Sequence, residues 1–322
     1  MPELPEVEVV RRGLLSHVLG RRIETTEVLD DRTARRQAGG PAALAAGLEG
    51  ARIAAVVRRG KFLWWRLEDP AGEDPGHALM THLGMSGQLR IRSPHRAGAH
   101  TSGAPSEGPA ADPLRHRRAS FRLDDGTVVD FLDQRLFGGV WTSPLVASAD
   151  GLLAGEGSPD ALLPRDVAHV SRDLLDPAVD LPSIARRLRT RRAPVKSLLL
   201  AQDIVSGIGN IYADEALWAA RAHHDTAGED LSQVRAHRLL RECAAVMTRA
   251  LAVGGTSFDA LYVNVDGRSG YFARSLAAYG REGHPCPRCG TAIRRVQRQG
   301  RSCYWCPRCQ RRRTSRPSRS TL

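Results

Sequence analysis

No apolar run in this 322-residue chain approaches the roughly 20 residues that a membrane-spanning helix needs, which excludes such a helix, and we expect a soluble protein. At 42% hydrophobic content the chain is still long enough for two domains with cores of their own. Its opening, Met1-Pro2-Glu3-Leu4-Pro5-Glu6, lacks the basic start and apolar stretch of a secretory signal, so we expect it in the mature protein and the protein in the cytoplasm. With no export route, disulfides are a poor use for the six cysteines. Acids all but vanish from the end: residues 281–322 hold twelve arginines against the single acid Glu282, which accounts for most of the net charge of +12. A surplus so confined excludes a generally basic surface and suggests a phosphate-binding device.

The opening segment reads as the entry to a helix. Pro5 suits a first helical position, Glu6 and Glu8 complement the positive end of the dipole, and Val7, Val10, Leu14 and Val18 recur on one face until Gly20 closes it. Removal of Met1 leaves Pro2 with a free secondary amine beside Glu3. An unperturbed α-amino group titrates at roughly 7.7 to 8.0, and a positive helix end lowers it, so this amine is a candidate nucleophile.

Short β-rich runs follow: 52–59, 61–67, 78–83, 88–91, 120–123 and 127–132, with Asp124-Asp125-Gly126 joining the last two. Their length and glycine turns predict an antiparallel β-sandwich over residues 1–145. Ser93 to Arg115, dominated by Ala, Gly, Pro and Ser, reads as a flexible insertion (93–115). Residues 146–182 read as a linker and 183–280 as a helical domain, with helices over 183–190, 196–205, 211–221 and 231–253. The turn Ser206-Gly207-Ile208-Gly209-Asn210 puts Asn210 at an N-cap, where free backbone N–H groups would seat a phosphate. Cys243 is most simply a buried thiol.

The remaining cysteines form two identical knuckles, Cys286-Pro287-Arg288-Cys289 and Cys306-Pro307-Arg308-Cys309, separated by 16 residues. This spacing fits one four-thiolate zinc site in a finger over 281–310, with a disordered basic tail at 311–322. Cys303 competes with Cys306 for pairing, but the repeated Pro-Arg filling favours Cys306 and Cys309. Such a site leaves no open coordination position, so the metal is structural. Arg301 falls on the hairpin between the knuckles.

In combination, the Pro2-Glu3-Leu4-Pro5-Glu6 start, Lys61 after a glycine, His82-Leu83-Gly84-Met85-Ser86-Gly87, Asp133-Gln134-Arg135-Leu136-Phe137-Gly138-Gly139, the Gly207-to-Asn210 turn and the four cysteines resemble the formamidopyrimidine-DNA glycosylase family. The resemblance spans residues 1–309 apart from the insertion. It implies an α+β multidomain fold, with the sandwich and its N-terminal helix followed by a helix-two-turn-helix domain and the zinc finger. It also implies removal of oxidised purines from double-stranded DNA, followed by strand cleavage, by a monomer working at the nucleoid. Pro2 would attack the sugar, Glu3 would carry protons, and Lys61 and Arg301 would assist elimination. Met85, Arg135 and Phe137 would fill the gap left by the everted base, a step that costs a few kcal/mol of stacking.

The resemblance places His82, His116, Arg191 or its neighbour Arg192, Lys196 and Asn210 on the DNA, and the segment 254–272 over the extruded base. Leu136 departs from the Arg or Lys of some relatives, but neighbouring strand residues face opposite ways, so Arg135 keeps its role. Two other readings stand beside this one: an endonuclease VIII-like enzyme for oxidised pyrimidines, and a non-catalytic zinc-dependent DNA-binding protein. The Leu4-Pro5 start, the intact finger and the three fillers lean towards the purine enzyme.

Overall fold

Val7, Val10, Leu14 and Val18 are all at most 1% exposed, which is what their three- and four-residue spacing demands of helix α1 (Leu4–Val18). Each such side chain contributes about 1.5–3 kcal/mol by leaving water. Gly20 takes the left-handed conformation, φ +78°, that ends the helical run. The computed structural model describes residues 2–93, 114–256 and 272–312. Residues 94–113 of the expected 93–115 insertion, 257–271 of the segment expected to cover the base (254–272) and 313–322 of the expected basic tail lie outside the described residues. The chain divides into two units. The first takes Met1–Pro2, Glu6–Ala168 and Thr256–Gly270; the second takes Glu3–Pro5, His169–Gly255 and Tyr271–Leu322.

The first unit is a β-sandwich. In chain order its strands are β1 (Ile23–Val28), β2 (Arg52–Arg59), β3 (Phe62–Glu68), β4 (His77–His82), β5 (Gln88–Arg92), β6 (Arg117–Leu123), β7 (Val128–Leu132), β8 (Gly139–Ala147) and β9 (Leu162–Pro164), with helix α2 (Gly40–Leu48) after β1. One antiparallel sheet runs β2-β3-β4-β8-β9 and the other β1-β6-β7-β5. Inward side chains of both sheets and of α1 share one core, and Trp65 of β3 meets Phe121 of β6 at 5.5 Å between ring centroids. The β6–β7 turn closes as the sequence demands, with Gly126 at φ +80° and the Thr127 amide held by the Asp125 carboxylate at 2.9 Å.

The sandwich does not stop at residue 145. β8 continues to Ala147, β9 pairs with it through Leu145, Val146 and Ala147, and the unit ends at Ala168, so the first half of the expected 146–182 linker is sheet and packing. The Gly, Pro and Asp content that suggested a connector belongs to the turns around so short a strand.

The second unit contains α3 (Leu181–Arg189), α4 (Val195–Leu200), α5 (Asn210–Ala220), α6 (Gln233–Ala252) and the hairpin β10 (Arg294–Arg298)–β11 (Arg301–Trp305). Its core joins Leu188, Leu199, Tyr212, Leu217, Leu239, Val246 and Met247 with Cys243, whose thiol is pushed up by burial. Helix α4 stops at Leu200 rather than Val205 because Gln202 organises the chain into a turn: its amide donates to the carbonyls of Leu200 and Ile208 and its oxygen accepts from Gly207 N. No described helix is long and apolar enough to cross a membrane.

Candidate active site and nucleic-acid interface

In the first unit Pro2 is buried, and Glu6 accepts from the amide and the hydroxyl of Thr256, both at 2.8 Å. Lys61 stands half-buried where β2 turns into β3 through Gly60, at φ +58°. His82 ends β4 and packs on Phe62 at 5.1 Å between ring centroids. Burial first, then the charges of Arg36, Lys61 and Arg35, push its imidazole down to about 4, so the ring is neutral at physiological pH.

The turns 83–87 and 133–138 are built against each other. Asp133, itself 1% exposed, accepts from Ser86 Oγ at 2.5 Å, Arg135 N at 3.1 Å and Gly138 N at 2.7 Å. Glycines are required by space: a Cβ on Gly84 would lie 2.5 Å from Gly138 N, and one on Gly138 would lie 2.5 Å from the His82 carbonyl oxygen. Pinned in this way, Met85 and Phe137 stand 42% and 55% exposed, and Arg135 reaches to 4.0 Å from the Met85 sulfur. Large apolar side chains presented to solvent on a rigid turn mark an interaction surface. His116 is half-buried and meets the same turn through its carbonyl, which accepts from Asp133 N at 2.9 Å.

In the second unit the Glu3 carboxylate is 1% exposed and accepts from the amides of Gly209 at 2.6 Å, Ile211 at 2.9 Å and Tyr212 at 3.4 Å. Those are the orphan donors of α5. Asn210 is therefore not the N-cap expected from the sequence: Gly209 takes that position, Asn210 opens the helix, and the cap is the side chain of Glu3. Three of the amides expected to seat a phosphate are already taken, which leaves side chains as the larger part of any phosphate seat here.

Those side chains converge on the zinc hairpin. Lys196, 4% exposed, pairs with Asp214 at 2.6 Å and donates to the Ser302 carbonyl at 2.7 Å, and Asn210 Nδ2 donates to the same oxygen at 3.0 Å. Burial raises the Asp214 carboxyl to about 7 against the opposing pull of Lys196. Ser302 adjoins Arg301, which is exposed and faces Arg298 across the hairpin. A cavity of about 60 Å³ is lined by Lys196, Ser197, His224, Asp225, Arg298 and Arg301. Arg191 and Arg192 are exposed, and the Arg192–Glu229 contact of 3.5 Å is a surface pair of little energetic weight.

The sulfurs of Cys286, Cys289, Cys306 and Cys309 all lie within 4.8 Å of one another, with Cys289 at 3.5 Å from both Cys306 and Cys309. Zn–S bonds of about 2.3 Å in a tetrahedron require S···S edges near 3.8 Å, so the four thiols fit one structural zinc ion. Trp218 Nε1 reaches Cys286 Sγ at 3.4 Å and Cys309 N reaches Cys306 Sγ at 3.4 Å, the outer-layer bonds that such ligands use. Cys303 is not among the four.

Several partners were missed in the sequence. Asp133, Ser86 and Arg35 organise the 133–138 turn, and Asp214 pairs with Lys196. Nothing in local spacing marks Arg35, whose contacts with that turn lie about a hundred residues along the chain.

Three family models match: the formamidopyrimidine-DNA glycosylase N-terminal domain over residues 1–140, the formamidopyrimidine-DNA glycosylase H2TH domain over 170–261, and a zinc finger found in FPG and IleRS over 283–312. The formamidopyrimidine-DNA glycosylase of Corynebacterium efficiens is 51% identical over 296 residues, covering 92% of this chain and 94% of that one. The solved structure of the MutM (Fpg) protein from Thermus thermophilus superposes with a TM-score of 0.74 at 34% identity, covering 96% of this chain and 98% of that one. A Lactococcus lactis Fpg variant solved with Fapy-dG-containing DNA gives a TM-score of 0.74 at 27% identity, covering 97% of this chain and all of the other. The chain belongs to the formamidopyrimidine-DNA glycosylase family.

Proposed function

We propose that this protein is a bifunctional DNA glycosylase and abasic-site lyase of base excision repair, acting as a monomer on oxidised purines in the cytoplasm, at the nucleoid. The Pro2 amine, freed by loss of Met1, attacks C1′ of an everted nucleotide. The base leaves with a proton as the N–C1′ bond forms; the C1′–O4′ bond then breaks, the amine proton passing to O4′, and the resulting open-chain iminium makes the C2′ proton acidic enough for β-elimination of the 3′ phosphate, then δ-elimination of the 5′ phosphate. Glu3 carries protons from a fixed position, since three amides hold its carboxylate. Lys61 and Arg301 supply positive charge to the departing phosphates. Met85, Arg135 and Phe137 replace the lost stacking, and Arg135 bonds the orphaned partner base. His82, His116, Arg191, Lys196 and Asn210 grip the backbone. The zinc ion, held by Cys286, Cys289, Cys306 and Cys309, keeps the Arg301 hairpin in shape.

The observation that carries this reading is the pair of stapled turns, which present an exposed methionine, arginine and phenylalanine together. A protein that only gripped phosphates would gain nothing from that display. The Lactococcus relative was solved in complex with DNA containing Fapy-dG, an oxidised purine, which supports the lesion class proposed here. Pro2→Gly should keep duplex affinity and slow excision of 8-oxoguanine by a factor on the order of 100 under single-turnover conditions. Unchanged excision by that variant would remove Pro2 from its role.

A further inference from the structure

The phenylalanine wedge has no core to lock it. Arg135 and Phe137 are exposed, and between them Leu136 adopts φ +56°, a left-handed conformation that a branched side chain avoids. Something outside the turn must hold it. The carboxylate of Asp133 gathers the N–H side, as described, and one guanidinium gathers the carbonyl side. Arg35 Nη1 donates to Leu136 O at 3.2 Å and Gly138 O at 2.8 Å, and Nη2 donates to Phe137 O at 3.0 Å. Three successive carbonyls turned towards one cation is the shape that a left-handed residue in the middle of a turn produces.

Arg35 is itself braced. It follows the 3-10 turn Asp31–Ala34, and its Nη1 also donates to Arg32 O at 2.8 Å. Two residues on, Gln37 Oε1 accepts from Thr142 N of β8 at 2.7 Å, and a Cβ on Gly139 would lie 2.7 Å from Thr33 O, so the segment is seated against the sheet. Three of these four carbonyl contacts fall on Nη1 and one on Nη2, so the Nη1 side of the fork is committed to the protein's own backbone.

We propose that Arg35 is the positioning residue of the duplex-probing turn, fixing the Arg135–Phe137 wedge in the geometry that enters the DNA when a base is everted. This rests on the wedge reading given under Proposed function. Pre-forming the turn removes the ordering entropy that an exposed loop would lose during insertion. Lysine can replace it only in part, because a single ammonium cannot span three carbonyls as a planar fork does.

The test is a double-mutant cycle on the zinc-loaded full chain, using Arg35→Ala, Arg35→Lys, Phe137→Ala and the Arg35→Ala/Phe137→Ala pair. Single-turnover excision of 8-oxoguanine is compared with cleavage of a duplex carrying a preformed abasic site, where there is no base to evert. Arg35→Ala should slow excision roughly tenfold, Arg35→Lys should recover only part of that, and cleavage at the abasic site should change less than about threefold. In the Phe137→Ala background the further loss from Arg35→Ala should shrink to less than about twofold, since both act through one turn. Equal slowing on both substrates, additive with Phe137→Ala, would mean that Arg35 is a phosphate contact and would overturn the assignment. Full excision by Phe137→Ala alone would instead remove the wedge reading, and the Arg35 role with it.

Discussion

Glu8 shows how a single residue ties the first unit to pH. Its carboxylate is 1% exposed and bonds Arg11 Nη2 at 2.8 Å, Arg58 Nε at 2.9 Å and Arg12 Nε at 2.7 Å. Burial pushes its pKa up, but the Arg11 hydrogen bond and the charges of Arg58 and Arg11 outweigh it and hold the group at about 2, against an ordinary 4.5. A depressed carboxylate stabilises the folded state above its unfolded value, and that contribution is lost as pH falls from 4.5 to about 2. The difference is on the order of 3 kcal/mol. Denaturant midpoints measured at pH 5 and pH 2.5 should fall by a matching amount, and Glu8→Gln should remove this part of the slope. The same variant should be markedly less stable at neutral pH, because it strands two buried arginines. Equal pH slopes for the two proteins would sink this assignment.

At the scale of elements, helix α5 depends on a residue two hundred positions earlier. Gly209 has φ −120°, open to any residue; what excludes a side chain is space, since a Cβ would lie 2.2 Å from Glu3 Cδ. Gly209→Ala should therefore displace Glu3, leave helix amides without an acceptor, lower stability by about 1–3 kcal/mol and sharply reduce excision. A thermal melt and a single-turnover assay read both effects, and a variant with wild-type values in each would show that the carboxylate needs no fixing.

The same helix marks where sequence reading stops. Periodicity located α1, strands β2 to β7 and helix α6 to within a few residues, because hydrophobic spacing is a local signal. The cysteine spacing located the metal ligands for the same reason. The identity of the α5 cap, the Arg35 clamp and the Lys196–Asp214 pair were illegible, because each joins residues that only the tertiary fold brings together. Strand β9 was missed because its pairing with β8 covers three residues, too few for alternation to register.

For the molecule as a whole, the residues given roles in the proposed chemistry fall in two units with separate cores. Pro2, Lys61, Met85, Arg135 and Phe137 belong to the first, and Glu3, Lys196, Asn210, Arg301 and the zinc ligands to the second. Each unit fixes its own groups by buried carboxylates: Asp133 on the turns, Glu3 on α5 and Asp214 on Lys196. Preorganised charge and hydrogen bonds of this kind are the usual source of rate in an enzyme that bonds covalently to its substrate. That bond is proposed to form at the Pro2 nitrogen. Borohydride reduction during turnover of 8-oxoguanine-containing duplex, followed by peptide mapping, tests it most directly. A DNA adduct on the N-terminal peptide at Pro2 is the expected result in protein that has lost Met1. An adduct on Lys61 instead, or no adduct from protein that still cuts the strand, would contradict it.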